Sequence, residues 1–220
     1  MVYYARNWLS GLGLMVKEEF YTPWGVCDLV GISFVSSRVK ERLTLGQKKA
    51  IGPPLRIELL SRIPESSTGK TIAVSRLERE LGWLLSQTDI EKELDYLEQG
   101  RFVHRVKKGR VQKLNGWAPL HDRIVALELK LNRVEDALNQ ARSHFGFVDE
   151  SYVGLPARVA MRVAVSRRAK EFESSGVGLI AIGRDRCTRL IKSKNQNRAV
   201  NAILQMHCAE RFWRSLLRGS

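Results

Sequence analysis

Ile124-Val-Ala-Leu-Glu-Leu-Lys-Leu131 is the stretch that organises this chain. A strand shows successive side chains to opposite faces. Glu128 and Lys130 therefore share one face, and Val125, Leu127, Leu129 and Leu131 share the other. An acid and a lysine on an otherwise apolar strand are costly to bury unless they pair or bind a metal. A second apolar run, Val26–Val35, carries a lone acid, Asp28, one hundred residues before Glu128.

Outward from these runs, the chain reads as α/β at both ends. The first ten residues read as a helix or helical turn carrying Trp8 and Leu9, ended by Gly11 and Gly13. Leu14–Tyr21 is a strand, and Thr22-Pro-Trp-Gly25 is a turn that joins it to Val26–Val35 as a hairpin. After Ile124–Leu131 comes a helix over Asn132–Phe145, with Val134, Ala137, Leu138, Ala141 and Phe145 on one face. Glu150–Leu155 is a strand, Pro156–Ser174 is mostly helix, and Gly176–Ile182 is a short buried strand between glycines. A final amphipathic helix, Ala199–Leu217, carries Phe212 and Trp213, placed to complete a core or to form a dimer interface.

Residues 41–115 differ in character. Helices are expected at Pro53–Ile63 and Ile72–Leu81, and from the N-cap Ser86 onward. Gly100-Arg-Phe-Val-His-Arg-Val, Lys107-Lys-Gly-Arg110 and Val111-Gln-Lys-Leu then make a basic hairpin. Three short helices followed by such a hairpin resemble a winged helix-turn-helix domain, with Leu94–Val103 as its third helix and first wing strand. The expected organisation is a discontinuous α/β domain, 1–40 and 116–220, with 41–115 inserted.

The chain has 220 residues, 44% of them hydrophobic, enough for one large domain or two small ones. No apolar run is long enough to span a membrane, and the start lacks the basic-then-apolar order of a signal peptide. Cys27, Cys187 and Cys208 form no zinc spacing. Cys27 reads as a small core residue, and disulfides are not expected. These features point to a cytoplasmic protein, nucleoid-associated in a prokaryote. The formal charge of +14 points to a polyanionic partner, nucleic acid before others.

The order Glu18/Glu19, Asp28, Glu128-Leu-Lys130, Gln140 resembles the PD-(D/E)xK nuclease superfamily, in its resolvase-like and restriction-endonuclease-like branch. The pieces are residues 18–32, 124–131, the Gln140-Ala step and Gly176–Ile182. The long insert between Asp28 and Glu128 departs from relatives that have a short hairpin there. The resemblance implies a mixed sheet flanked by helices, and a metal-dependent endonuclease acting on DNA. Asp28 and Glu128 would hold Mg2+, with Mn2+ as a substitute, since magnesium takes oxygen ligands. Glu19 would be a further metal or water contact, with Glu18 as the alternative. Alternation lets only one of them point at the site. Lys130 would orient the attacking water or stabilise developing charge, and Gln140 would bind the lysine, a water or the phosphate. Family resemblance also implies a homodimer, because cutting both strands commonly needs two sites.

Other candidates are weaker. His104, His121, His144 and His207 are scattered, and His144, one turn after Gln140, is placed to approach the site but reads rather as a surface histidine. No P-loop, GxGxxG or GxSxG is present. Gly176-Val-Gly178 reads as a strand packed closely on a helix rather than a phosphate turn.

Residues 155–220 hold fourteen Lys/Arg against four Asp/Glu, an imbalance that favours phosphate contact. Arg162, Arg167, Arg168, Arg184 and Arg186 are the candidates there, and Arg105, Lys107, Lys108 and Arg110 are those of the wing. The helix before the wing, 87–98, is acidic through Asp89, Glu91, Glu93, Asp95 and Glu98. An acidic helix fits a phosphate-lined major groove poorly, so it is expected to face a protein partner while the wing meets DNA. The alternative to a nuclease is a non-catalytic winged-helix DNA-binding regulator, or an architectural subunit of a recombination, transposition or defence assembly.

Overall fold

The computed structural model describes residues 1–22, 25–114, 117–194 and 201–218. In chain order they form α1 (Val2–Gly11), β1 (Met15–Thr22), β2 (Gly25–Phe34), α2 (Ser36–Thr44), α3 (Pro54–Arg62), β3 (Ile72–Ala73), α4 (Val74–Leu81) and α5 (Gln87–Gln99). There follow β4 (Val103–Val106), β5 (Arg110–Lys113), β6 (His121–Leu129), α6 (Val134–His144), β7 (Glu150–Pro156), α7 (Ala157–Ala164), α8 (Arg168–Ser175), β8 (Gly178–Ile182), β9 (Cys187–Ile191) and α9 (Ala202–Arg218). The turn expected at Pro23 and Trp24, and the helix start expected at Ala199 and Val200, lie outside the described residues.

Contacts divide the chain into two units, Met1–Phe34 with His121–Gln205, and Val35–Leu120 with Met206–Ser220. The boundaries read from sequence, 40/41 and 115/116, therefore fall at 34/35 and 120/121. The Val35 N–H donates to the Leu120 carbonyl at 2.8 Å, tying together the two ends of the second unit's first segment. The residues from Met206 onward pack with this second unit, not with the α/β unit to which the sequence assigned 116–220.

The first unit is α/β. Its mixed six-stranded sheet has the order β1-β2-β6-β7-β8-β9 and is flanked by helices. β1 pairs antiparallel with β2, and β2 with β6. β6, β7 and β8 run parallel, and β9 returns antiparallel. Parallel neighbours need a crossover, and α6 supplies the one between β6 and β7. Leu29, Val125, Leu127, Tyr152 and Ile180 pack under Ala5 and Leu9 of α1. On α6, Val134, Ala137, Leu138, Ala141 and His144 are the buried positions. The Ser151 hydroxyl of β7 donates to the Ala141 carbonyl at 2.7 Å, fastening that helix to the sheet.

One element here differs from expectation. The helix expected over Pro156–Ser174 is two helices, because Ser166 donates to the Val163 carbonyl and accepts from the Arg168 N–H, competing with the helical ladder. The strand β8 packs on α7 and α8 as expected, and Gly178 also makes room for a strand neighbour: a Cβ there would lie 2.2 Å from the Tyr152 ring.

In the second unit, α3, α4 and α5 are followed by the hairpin β4–β5. β3 joins the hairpin to give a three-stranded sheet of order β3-β5-β4. Residues Ile72–Leu81, expected as one helix, start as this short strand because Ile72 and Ala73 pair with Val111 and Arg110. Ser86 caps α5 as expected, its side chain accepting from the Asp89 N–H. Ile57, Leu60, Leu77, Leu81, Ile90, Leu94, Leu97 and Phe102 form the core. α9 contributes Phe212 and Trp213, both fully buried, so of the two roles open to them they take the core. Trp213 Nε1 donates to the Lys48 carbonyl at 2.9 Å.

Candidate active site where two strands part

The face assignment around Glu128 follows alternation. Val125, Leu127 and Leu129 pack toward α1, while Lys130 Nζ donates to Glu128 Oε1 at 2.6 Å. β6 ends at Leu129, but the Lys130 N–H still donates to the Gly154 carbonyl, which holds the lysine beside β7.

Asp28 stands where the pairing of β2 with β6 begins. Leu29 pairs with Leu127, but Asp28 and Glu128 are not paired. Asp28 Oδ2 instead accepts from the Leu129 N–H at 2.7 Å. The carboxylate thus substitutes for a strand carbonyl, and β2 opens away from β6 at that residue. Lys130 thus meets Glu128, and Asp28, fixed on the neighbouring Leu129, acts on Glu128 through its charge, but the cluster of possible metal ligands around Glu128 among the described residues includes neither Asp28 nor Glu19.

Alternation breaks at this point. Leu29 packs toward α1, yet the Sγ of Cys27, two residues earlier, lies against His144 of α6 at 3.9 Å. The partner strand changes face at the same level. Glu18 pairs with Arg6 of α1 at 3.1 Å, whereas Phe20 stacks on Phe147, just past α6, with centroids 6.3 Å apart. Between them Glu19 has φ +49, a left-handed conformation uncommon for a residue other than glycine. Pairings on either side, Glu18 with Leu29 and Phe20 with Cys27, put Glu19 level with Asp28. Both glutamates are exposed; Glu18 is engaged by Arg6, and Glu19 is the one level with Asp28.

Glu128 is 1% exposed. Its Oε2 is buried and has no hydrogen-bond partner among the described residues. Burial pushes the Glu128 carboxyl above its ordinary range, and the bond from Lys130 partly offsets this. Buried polar atoms are normally satisfied, so an orphaned carboxylate oxygen calls for a reason.

Two residues at this site were not assigned to it from the sequence. One ligand atom from each of Cys27, Glu128 and His144 lies within 4.8 Å of the others, and all three residues are buried. His144 is a core residue, not a surface one. The signal was there, since it falls three residues after Ala141 on the buried stripe of α6. Desolvation, followed by the charge of Lys130, pushes its pKa down to about 4. Nothing in the pattern foretold Cys27, because strict alternation turns it away from Glu128. Gln140 lies on the exposed side of α6, one turn before His144. Among the described residues no hydrogen bond joins its side chain to Glu128 or Lys130.

The basic candidates sort differently. Arg162, Arg167, Arg168, Arg184 and Arg186 are all exposed, and none forms an ion pair among the described residues. Arg184 and Arg186 flank the β8–β9 turn. There they line a groove of about 580 Å³ with Tyr3, Tyr4 and Trp8. β6, β7 and β8 are parallel, so this turn and Lys130 lie at the same edge of the sheet. In the wing, Arg105 is held by Glu91, Asp95 and Glu98 of α5. Glu93 is held by Arg56. The acidity of α5 is thus matched by arginines of its own unit. Arg110 donates to Thr71, which leaves Lys107 and Lys108 at the exposed tip.

No family model, curated protein or solved structure matches this chain. Among the described residues, no helix is long and apolar enough to cross a membrane.

Proposed function

We propose that this chain is a divalent-metal-dependent DNA endonuclease of the PD-(D/E)xK type. The observation that carries the reading is the orphaned Oε2 of Glu128, buried where Asp28 and Lys130 converge. A nearly fully buried acid with one oxygen unsatisfied is suited to bind a cation. The hard oxygen donors of Asp28 and Glu128 suit magnesium. The order α1-β1-β2-β6-α6-β7, antiparallel then parallel, supports the same reading.

Asp28 and Glu128 would hold the ion, with Glu19 level with them as a further carboxylate. When bound, such an ion supplies Lewis-acid polarisation of the phosphate and acidifies a water. Lys130 holds a positive charge at the rim, 21% exposed and fixed by Glu128, where it would orient the water or stabilise negative charge as it develops. Leu129 fixes Asp28 through its N–H, so the two acids keep their relative positions. Gln140 stands at the exposed margin, in reach of substrate rather than of the acids.

The second unit supports DNA binding. Helix, short strand, two helices and a hairpin, with sheet order β3-β5-β4, is the arrangement expected of a winged helix. Lys107 and Lys108 at the tip would meet the phosphate backbone. The exposed arginines of α7, α8 and the β8–β9 turn would form the DNA surface of the first unit. A homodimer would supply two sites for a double-strand cut.

The test incubates supercoiled, linear, branched and single-stranded DNA with the protein in magnesium, manganese or EDTA. Cleavage is expected only with a metal, and Asp28→Ala and Lys130→Ala should each slow it on the order of a hundredfold or more. Cleavage that survives both substitutions would overturn the site. The regulator reading draws on the lack of contact between Gln140 and the acids, and it predicts DNA binding without cutting.

A further inference from the structure

Glu128 faces two sets of partners. One is the oxygen-rich pair with Asp28. The other is a thiol and an imidazole, Cys27 and His144, brought in from β2 and α6. We propose that Cys27, Glu128 and His144 form a second metal site, selective for zinc over magnesium.

Three observations carry this. The donors come from three different elements, yet lie within 4.8 Å of one another. Sulfur and nitrogen bound to zinc at about 2.3 and 2.0–2.1 Å, at the tetrahedral angle, stand about 3.6 Å apart. Cys27 Sγ and His144 Nδ1 are 3.9 Å apart, so a movement of a few tenths of an ångström completes that edge. Glu128, almost wholly buried, has an oxygen without a partner. Thiolate and imidazole suit zinc, whereas magnesium takes oxygen ligands. Three protein ligands would leave the fourth position to water. Cys27 now donates its thiol proton to the Leu29 carbonyl at 3.2 Å. On binding, that proton leaves to solvent and the thiolate takes the ion.

Glu128 belongs to both sets, so zinc removes a ligand that the magnesium pair needs. The zinc site stands apart from the nuclease reading; its consequence, inhibition of cleavage by zinc, rests on that reading.

Cobalt(II) is the probe. The full-length protein, stripped of metal with EDTA and then freed of chelator, is titrated with cobalt and followed by absorbance. One equivalent should give a thiolate-to-cobalt charge-transfer band and intense tetrahedral bands, both abolished by one equivalent of zinc but not by millimolar magnesium. Cys27→Ser should lose the charge-transfer band. His144→Gln should lose the tetrahedral intensity. Asp28→Asn should keep both. Only weak octahedral absorption from the wild-type protein, or a charge-transfer band that survives Cys27→Ser, would overturn the site. The wild-type titration decides the matter even where a variant fails to fold. Because the readout is optical, it separates the two proposals. A protein that shows the bands but never cuts DNA keeps the zinc site and loses the nuclease. One that cuts with magnesium but shows no bands does the reverse.

Discussion

Among the described residues each unit contains one nearly buried acid bonded to a cation, and the two are satisfied to different degrees. In the second unit Arg42 and Glu210 form a buried pair. Arg42 also donates to the carbonyls of Gln47 and Lys49, and its guanidinium lies 4.1 Å from the Trp213 ring centroid. Glu210 Oε2 accepts in addition from the Ile51 N–H at 2.7 Å. Both oxygens of that carboxylate are in use. In the first unit Lys130 donates to one oxygen of Glu128, and the other has no hydrogen-bond partner among the described residues. A fully satisfied buried pair fixes a fold, whereas a half-satisfied one weakens it. Arg42–Glu210 is therefore structural, and on the function proposed above the second oxygen of Glu128 is held for a ligand.

Breaking the satisfied pair should have the largest effect. Glu210→Ala strands a buried guanidinium and should lower stability by about 3–5 kcal/mol, read as a shift in the urea midpoint.

Next comes the pH dependence of the first unit. His144 is held neutral, its pKa lowered from 6.5 to about 4. The folded state binds fewer protons than the unfolded one across that window. The contribution is therefore intact above pH 6.5 and is lost as pH falls toward 4, by about 3 kcal/mol at most. Urea unfolding in EDTA at pH 7 and 4.5 should show the loss, and His144→Asn should lack it. Glu128 has the opposite sign. Its carboxyl is raised by burial, so its contribution is present below the ordinary 4.5 and declines as pH rises through the folded value. An equal pH slope in wild type and His144→Asn would contradict this assignment.

Arg105 sharpens the contrast on the surface. It meets three carboxylates, all partly exposed, and exposed pairs contribute little. Arg105→Ala should cost about 1 kcal/mol in thermal melts. It should change DNA affinity less than Lys107→Glu with Lys108→Glu, whose effect should fade as salt rises. Equal losses of affinity would return Arg105 to the DNA surface.

These differences mark how far the sequence could be read. Alternation along Ile124–Leu131 correctly paired Glu128 with Lys130, because β6 is regular up to Leu129. The same rule failed for Cys27, because the left-handed Glu19 and the opening of β2 at Asp28 reverse the faces there. Periodicity alone places His144 on the buried stripe of α6, but its polarity argued for the surface. Burial was affordable because His144 is neutral. Helix α2 was missed because its most buried residue is Arg42, a charge whose partner lies 168 residues away in the sequence. The same long-range pair explains why α9 from Met206 onward packs with the second unit. The acids of α5 read as a surface for a partner because their arginines, Arg56 and Arg105, come from other elements.

The smallest expected change in stability is at Glu128 itself. Glu128→Gln removes a charge that burial disfavours and keeps an acceptor for Lys130, so stability at pH 7 should move by less than about 1 kcal/mol. The decisive measurement is the magnesium-dependent nicking rate of supercoiled DNA by Glu128→Gln, taken on protein whose melt matches the wild type. The expected result is a stable protein that no longer nicks. Nicking at the wild-type rate would contradict the claim that the orphaned oxygen of Glu128 is there to hold a catalytic cation.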